Sequence, residues 1–174
     1  MRSFDDSATQ IVGNCLAEPA HHNLILLAHN GPSGLGCEPD SPCGLDFRPE
    51  YGDFGDRDME EAIRAVLEKR RISLCVFGHM HQELHPFALP LTERRMFHLD
   101  AGTGVAYVNT AVVPRIRRSK KNKLQHNFVL IRLGEARVLE SVESVWLERK
   151  KGGSFETVET SRWFCLEAAP AGQS

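Results

Sequence analysis

No run of apolar residues in the 174-residue chain approaches the ~20 that a membrane-spanning helix requires. Met1 to Thr9 holds two Asp and one Arg and no apolar stretch, so it reads as neither a secretory signal nor a transit peptide. Neither sign of charge dominates. Lys and Arg total 21 against 23 Asp and Glu, a net charge of -2, which excludes gripping nucleic acid by bulk charge. The five cysteines, Cys15, Cys37, Cys43, Cys75 and Cys165, are odd in number and include no C-x-x-C pair. A disulfide framework is therefore not expected, and reduced thiols in a reducing compartment are. Internal repeats and an interdomain linker are also missing. What remains is a soluble globular composition, 41% hydrophobic and 25% charged, at the length of one domain.

Residues 8–18 have loosely helical spacing, with Ile11, Cys15 and Leu16 on one side and Pro19 to end the helix. Asn23 to Ala28 is a continuous apolar run of the kind that forms a strand buried on both faces. Residues 30–57 are rich in Gly, Pro and Asp and show no periodicity, the mark of a long and functional or disordered loop. Asp58 to Arg70 reads as an amphipathic helix with Met59, Ile63, Val66 and Leu67 inward, capped by Asp58 with Glu61 at the capping-box spacing. Ser73 to Phe77 is a second buried-type strand, broken at Gly78. Strand, loop, helix and strand make a βαβ unit with parallel strands. Phe97–Leu99, Tyr107–Val112, Asn127–Leu133, Val138–Trp146 and Arg162–Leu166 then read as strands with short connections, so the second half is expected to be mainly antiparallel. The last residues, 167–174, read as a disordered tail after a domain over 1–166.

The chemistry is carried by histidines. Of eight, His29 directly follows the first buried strand, and His79 and His81 follow the second across Gly78. In open parallel sheets, ligand sites form beyond the carboxyl ends of strands. Two positions apart in an extended segment, His79 and His81 would project to one side. Three imidazoles together suit Zn, Fe, Mn or Ni better than Ca. The bland alternative is three ordinary loop histidines at strand ends.

Gly78-His79-Met80-His81 resembles the final GHxH block of the calcineurin-like metallophosphoesterases, and His29 resembles the isolated His block before it. AHNGPSGLG (28–36), CGLDF (43–47), GDFGDRD (52–58), VFGHMH (76–81) and YVNTAVVPRI (107–116) are together similar to one branch of that superfamily, associated with photosynthetic organisms. The resemblance covers residues 23–148. It implies an α/β fold, namely the C-terminal portion of a four-layer α/β/β/α sandwich, with one βαβ unit followed by mostly antiparallel strands. It implies hydrolysis of a phosphate ester by metal-bound hydroxide at two adjacent ions. By resemblance, His29 and His79 would bind one ion and His81 the other. It also suggests a plastid, with the cytoplasm as the alternative location.

The family's other three blocks, D-x-H, G-D-x-x-D/N and G-N-H-D/E, are absent. Gly52-Asp53-Phe54-Gly55-Asp56 matches the second literally but follows His29 instead of preceding it, and Gly13-Asn14-Cys15 lacks the His of the third. Two-metal chemistry holds ions ~3.5–4 Å apart, which needs a bridging carboxylate that three neutral histidines cannot replace. The expectation is therefore a C-terminal fragment that takes up at most one divalent ion (Mn, Fe, Zn or similar) and is inactive or nearly so alone. A fragment of this kind should also expose one face of the strand at 24–28, inviting self-association. The alternative is a non-catalytic metal-binding or interaction module.

Three further residues are candidates for contact with a phosphate-ester substrate. Arg115, after Pro114, opens a basic run through Lys123 that otherwise reads as a solvated loop. Aromatic residues do not interleave it, so a single-strand nucleic-acid groove is not expected. Asn30 and Asn109 are candidates for orienting substrate or metal ligands. His85, followed by Pro86, reads as a surface residue, and Asp46, Asp53, Asp56 and Asp58 as turn residues.

Overall fold

Ser3 opens the first helix with a capping box. Its hydroxyl accepts from the Asp6 N–H at 3.1 Å, and the Asp6 carboxylate accepts from the Ser3 N–H at 3.0 Å. Helix α1 therefore runs Phe4–Ala17, starting a full turn before its apolar periodicity does. Its C-terminal carbonyls are met by one side chain. Arg70 donates through Nη1 to the carbonyls of Cys15 and Glu18, and through Nη2 to those of Pro19 and His22.

The computed structural model describes residues 3–48, 50–134 and 138–166. The tail expected at 167–174 lies outside the described residues. The fold is mixed α/β with two four-stranded sheets. The chain divides into two compact units, Met1–Val113 and Pro114–Ser174.

In the first unit, β1 (Leu24–Leu27), α2 (Arg57–Leu67), β2 (Ile72–Phe77), β3 (Phe97–Leu99) and β4 (Ala106–Asn109) follow α1. The sheet order is β1-β2-β4-β3, with β1 parallel to β2 as the βαβ reading requires. One core packs Cys15, Met59, Ile63 and Val66 of the helices against Leu24, Ile72, Cys75, Phe77 and Tyr107 of the sheet.

Several expectations need correction here. Strand β4 pairs parallel to β2, and only β3 runs antiparallel. The connection from β2 is long rather than short. It folds back through paired backbone at Gln82/Arg94 and Leu84/Thr92 and re-enters the sheet as β3, against the direction of β2; the turn after β3 then brings β4 in along the original direction. Strand β1 is not buried on both faces. It is an edge strand with Leu24 buried, but Ile25 is 44% and Leu27 78% exposed. Helix α2 is preceded by Asp56, not capped by Asp58. The Asp56 carboxylate instead accepts from Asn30, while Asp58 accepts from the neighbouring Met59 N–H inside the first turn.

The long loop between β1 and α2 has neither helix nor strand among its described residues, yet it is tied by backbone bridges. Short bridges join Pro32 to Asp56 and Gly44 to Asp53. Two of its glycines sit where no side chain fits. A Cβ on Gly44 would fall 1.8 Å from the Glu38 carbonyl oxygen, and one on Gly55 would fall 2.3 Å from that of Pro32.

The second unit is an antiparallel meander of β5 (Ile116–Arg118), β6 (Leu124–Leu133), β7 (Leu139–Arg149) and β8 (Phe155–Cys165). The basic run is thus part strand rather than loop. Ile116–Arg118 pairs with Leu124–His126 across a tight turn in which Asn122 takes a φ of 59°. Arg117 lies over the ring of the buried Trp146 at 3.9 Å and pairs with Glu159, which explains a cation inside a sheet. Strand β8 is twice the length foreseen, because its Thr- and Glu-rich half alternates without an apolar run.

No helix among the described residues is long and apolar enough to cross a membrane.

Candidate metal centre

The ladder between β1 and β2 continues past both strands. The Ala28 N–H donates to the Val76 carbonyl at 3.0 Å, and the Gly78 N–H to the His29 carbonyl at 3.1 Å. His29 and His79 are thereby set side by side at the carboxyl ends of adjacent parallel strands. At His79 the chain turns sharply. Its φ is 69°, and the Met80 N–H donates back to the Gly78 carbonyl at 2.9 Å. Such a φ is uncommon for a residue with a side chain and persists only where the surroundings hold it. The turn brings the ring of His79 to 4.8 Å from that of His29, centre to centre, with the planes at 60°. Phe54, from the long loop, also stacks on His79, with its ring centre at 5.9 Å and the planes 12° apart. Phe47 meets Phe54 edge-on at 5.5 Å.

His79 and His81 share the wall of a cleft of about 550 Å³ with Asp46, Glu83 and His85. The extended-chain argument for their common direction does not apply, because the backbone at His79 is left-handed. Among the described residues, no group of three or more His, Cys, Asp or Glu side chains is placed to hold one ion. The ring contact at the strand ends is the one between His29 and His79, and all three histidines are exposed.

The backbone that carries these histidines is held from within. Asn109 is fully buried; its Nδ2 donates to the carbonyls of Met80 at 2.7 Å and Pro42 at 3.1 Å, and its Oδ1 accepts from Ala111. Asn30 is buried too, donating to the Phe54 carbonyl and Asp56 and accepting from the Gly31 N–H. Both amides are engaged inside the protein. Their partners are mainly backbone groups of neighbouring segments. Asn109 fixes the residue between His79 and His81, and Asn30 fixes the segment bearing Phe54. Arg115 belongs to the second unit, where it is exposed and its carbonyl accepts from the Asn127 N–H at 2.8 Å.

Arg94 went unnoticed in the sequence, and it is central to this region. Its buried guanidinium donates through Nε to the His81 carbonyl and through Nη1 to those of Pro39, Ser41 and Gly44. Its Nη2 lies 3.1 Å from the Asp46 carboxylate. Burial pulls the Arg94 pKa down, and Asp46 is the first of the charges that push it back. One cation thus ties the long loop to the turn after His79. An Arg in a stretch reading Glu-Arg-Arg gives no signal of this; only the gathering of carbonyls from distant segments reveals it. His85, expected at the surface, is exposed but also lines the cleft, with Nδ1 accepting from the Phe87 N–H at 3.3 Å.

The loop carboxylates do more than the turn chemistry expected of them, which holds for Asp58 and in part for Asp53, while Asp46 and Asp56 reach distant segments. Asp53 accepts from Gly34 and Gly55, and Asp46 accepts from His85 N–H besides pairing with Arg94. All five cysteines are free. Burial raises the thiols of Cys43 and Cys75 to about 12, so neither supplies a thiolate near neutral pH.

No family model matches the chain, and no curated protein and no solved structure matches it either.

Proposed function

We propose that the chain carries one half of a calcineurin-like phosphoesterase centre, a single-ion site built on His29 and His79 with His81 beside it, and that it hydrolyses phosphate esters poorly or not at all by itself. The observation that carries this reading is the contact between the His29 and His79 rings at the ends of two parallel strands. Two imidazoles bound to one ion through nitrogens at ~2.1 Å stand with their ring centres about 4.5–5 Å apart. The 4.8 Å separation fits that arrangement. These residues fit part of one ion's shell, with water as the remaining ligands. They do not fit the two-ion set. Among the described residues no carboxylate joins them, and those nearby in the loop are engaged with Arg94 or with backbone N–H groups.

The same reading accounts for two other features. The left-handed backbone at His79 aims a ring that an extended chain would not, and Asn109 and Arg94 hold the two residues that follow it. The exposed Ile25 and Leu27 on β1, an edge strand among the described residues, are compatible with an incomplete sandwich. When bound, a divalent ion would supply charge neutralisation on phosphoryl oxygens and a lowered water pKa. The chain's own residues would bind and orient that ion, with Phe54 stacked on His79 to limit water access from one side.

The alternative, a metal-binding or interaction module without catalysis, uses the same two rings. Equilibrium dialysis against Zn or Mn, paired with an aryl phosphate assay, separates the readings. One ion per chain at most, with no turnover that depends on His79, is the expected result. Two ions per chain with metal-dependent turnover abolished by His79→Ala would overturn the incomplete-site reading. No uptake at all would remove the metal centre.

A further inference from the structure

Strand β7 runs through the middle of the second sheet, and its pairing sets side chains from three strands in one row. Ser141 stands opposite Arg132 of β6 and opposite Cys165 of β8, so all three project from one face. In the next row on that face, Glu143 stands opposite Arg162. These residues border a cleft of about 350 Å³ that lies wholly within the second unit, with Glu140 and Leu166 completing its wall. Ser141 is 7% exposed, and its buried Oγ has no hydrogen-bond partner among the described residues. A buried hydroxyl left unpaired costs stability that an acceptor on a ligand would recover.

Two guanidinium groups with unused donors flank that hydroxyl. Arg132 is exposed and has no hydrogen-bond or ion-pair partner among the described residues, so its arm is free to turn over an incoming group. Arg162 engages only Nε with the Glu143 carboxylate, at 3.0 Å, and its Nη groups make no hydrogen bond with a described residue. The open donors thus outnumber the open acceptor, Glu140, and the ligand they suit is an acceptor. Two arginines and two glutamates sum to zero charge on the wall. A bound carboxylate therefore leaves one uncompensated negative charge, and a phosphate dianion leaves two. The cavity is of a size that takes a small molecule.

We propose that this cleft binds a small organic carboxylate with an apolar body. The Arg132 guanidinium takes both carboxylate oxygens as a fork, and the Ser141 hydroxyl donates to one of them. The Arg162 Nη groups add attraction from the far strand, and the apolar body rests on the exposed Leu166. A neutral amide of the same shape forgoes the charge-assisted contacts. The site uses none of the histidines of the metal centre, so its failure would leave that reading untouched.

The test is NMR titration of the full chain at neutral pH with phenylacetate, phenylacetamide and inorganic phosphate. Phenylacetate should saturate at roughly millimolar affinity and bind about tenfold more tightly than either of the others. Shifts should centre on Arg132, Ser141 and Arg162. Arg132→Gln and Ser141→Ala should each weaken phenylacetate about tenfold, and Glu140→Gln should tighten it about threefold by removing the opposing charge. Ser141→Ala has a second readout. The hydroxyl it removes has no described partner, so the variant should melt no lower than the wild type, and phenylacetate at saturation should raise the Tm of the wild type more than that of the variant. Equal or tighter binding of the amide or of phosphate, a Ser141→Ala variant that loses stability and keeps its affinity, shifts outside the second sheet, or no saturation by phenylacetate would overturn the proposal.

Discussion

Replacing Arg94 with Met tests how the cleft is held. The substitution keeps much of the apolar volume and removes every donor. Carbonyls of Pro39, Ser41, Gly44 and His81 lose their hydrogen bonds, and Asp46 loses its ion pair. Breaking a buried pair by removing one partner costs about 3–5 kcal/mol, and a buried carbonyl left without a donor about 1–3 kcal/mol. Water entering the opened loop offsets part of the sum, so a loss of about 5 kcal/mol is expected. That approaches the whole stability of a small domain, about 5–15 kcal/mol. Adding Asp46→Asn removes the stranded charge and should restore about 1–2 kcal/mol. Urea unfolding followed by far-UV circular dichroism measures the loss. Hydrogen exchange at Leu45 and Phe54, whose N–H groups bond across the loop to Gly52 and Cys43, reports the loop itself. A loss under about 1 kcal/mol with protection at Leu45 and Phe54 intact would refute the claim that Arg94 anchors this segment.

Four other outcomes follow from the same physics. Arg70→Ala strips the C-terminal carbonyls of α1 of their donors and should cost about 2–3 kcal/mol, with exchange at the end of α1 accelerating first. Thiol labelling should modify the exposed Cys37 and Cys165 rapidly and Cys15, Cys43 and Cys75 only on unfolding. Cys43 and Cys75 ionise near 9.0 when unfolded but only at about 12 when folded, so stability should fall as pH rises through that window; flat stability there would contradict their burial. Leu27→Lys, at an open position on an edge strand, should reduce concentration-dependent association in sedimentation velocity without lowering stability; unchanged association would place the contact elsewhere.

What the sequence disclosed and what it hid divide along physical lines. Apolar runs at Leu24–Leu27 and Ile72–Phe77 and the stripe on α2 are legible because burial selects residue type, and they define the βαβ unit. The position of His29 and His79 at neighbouring strand ends follows from that unit. The direction of β4 was hidden, since a strand reads alike in either direction and only the path of its connection decides. Strand β5 and half of β8 were hidden because their stabilising contacts are cross-strand and polar, as with Arg117 on Trp146. Arg94 and Arg70 were hidden most thoroughly. Their partners are carbonyl groups, which every residue has, so nothing in the side-chain pattern marks them. The burial of Asn30 and Asn109 was hidden for the same reason, since their partners too are mostly backbone groups.

Whether His29 and His79 share one cation is read most directly by side-chain NMR of the histidine rings under Zn titration. The resonances of His29 and His79 should move together, at one Zn concentration and to one end point, while those of His21, His22, His98 and His126 stay in place, and His29→Ala should abolish the response at His79. Independent movement of the two rings, or a uniform weak response across every histidine, would contradict a shared ion and with it the half-site.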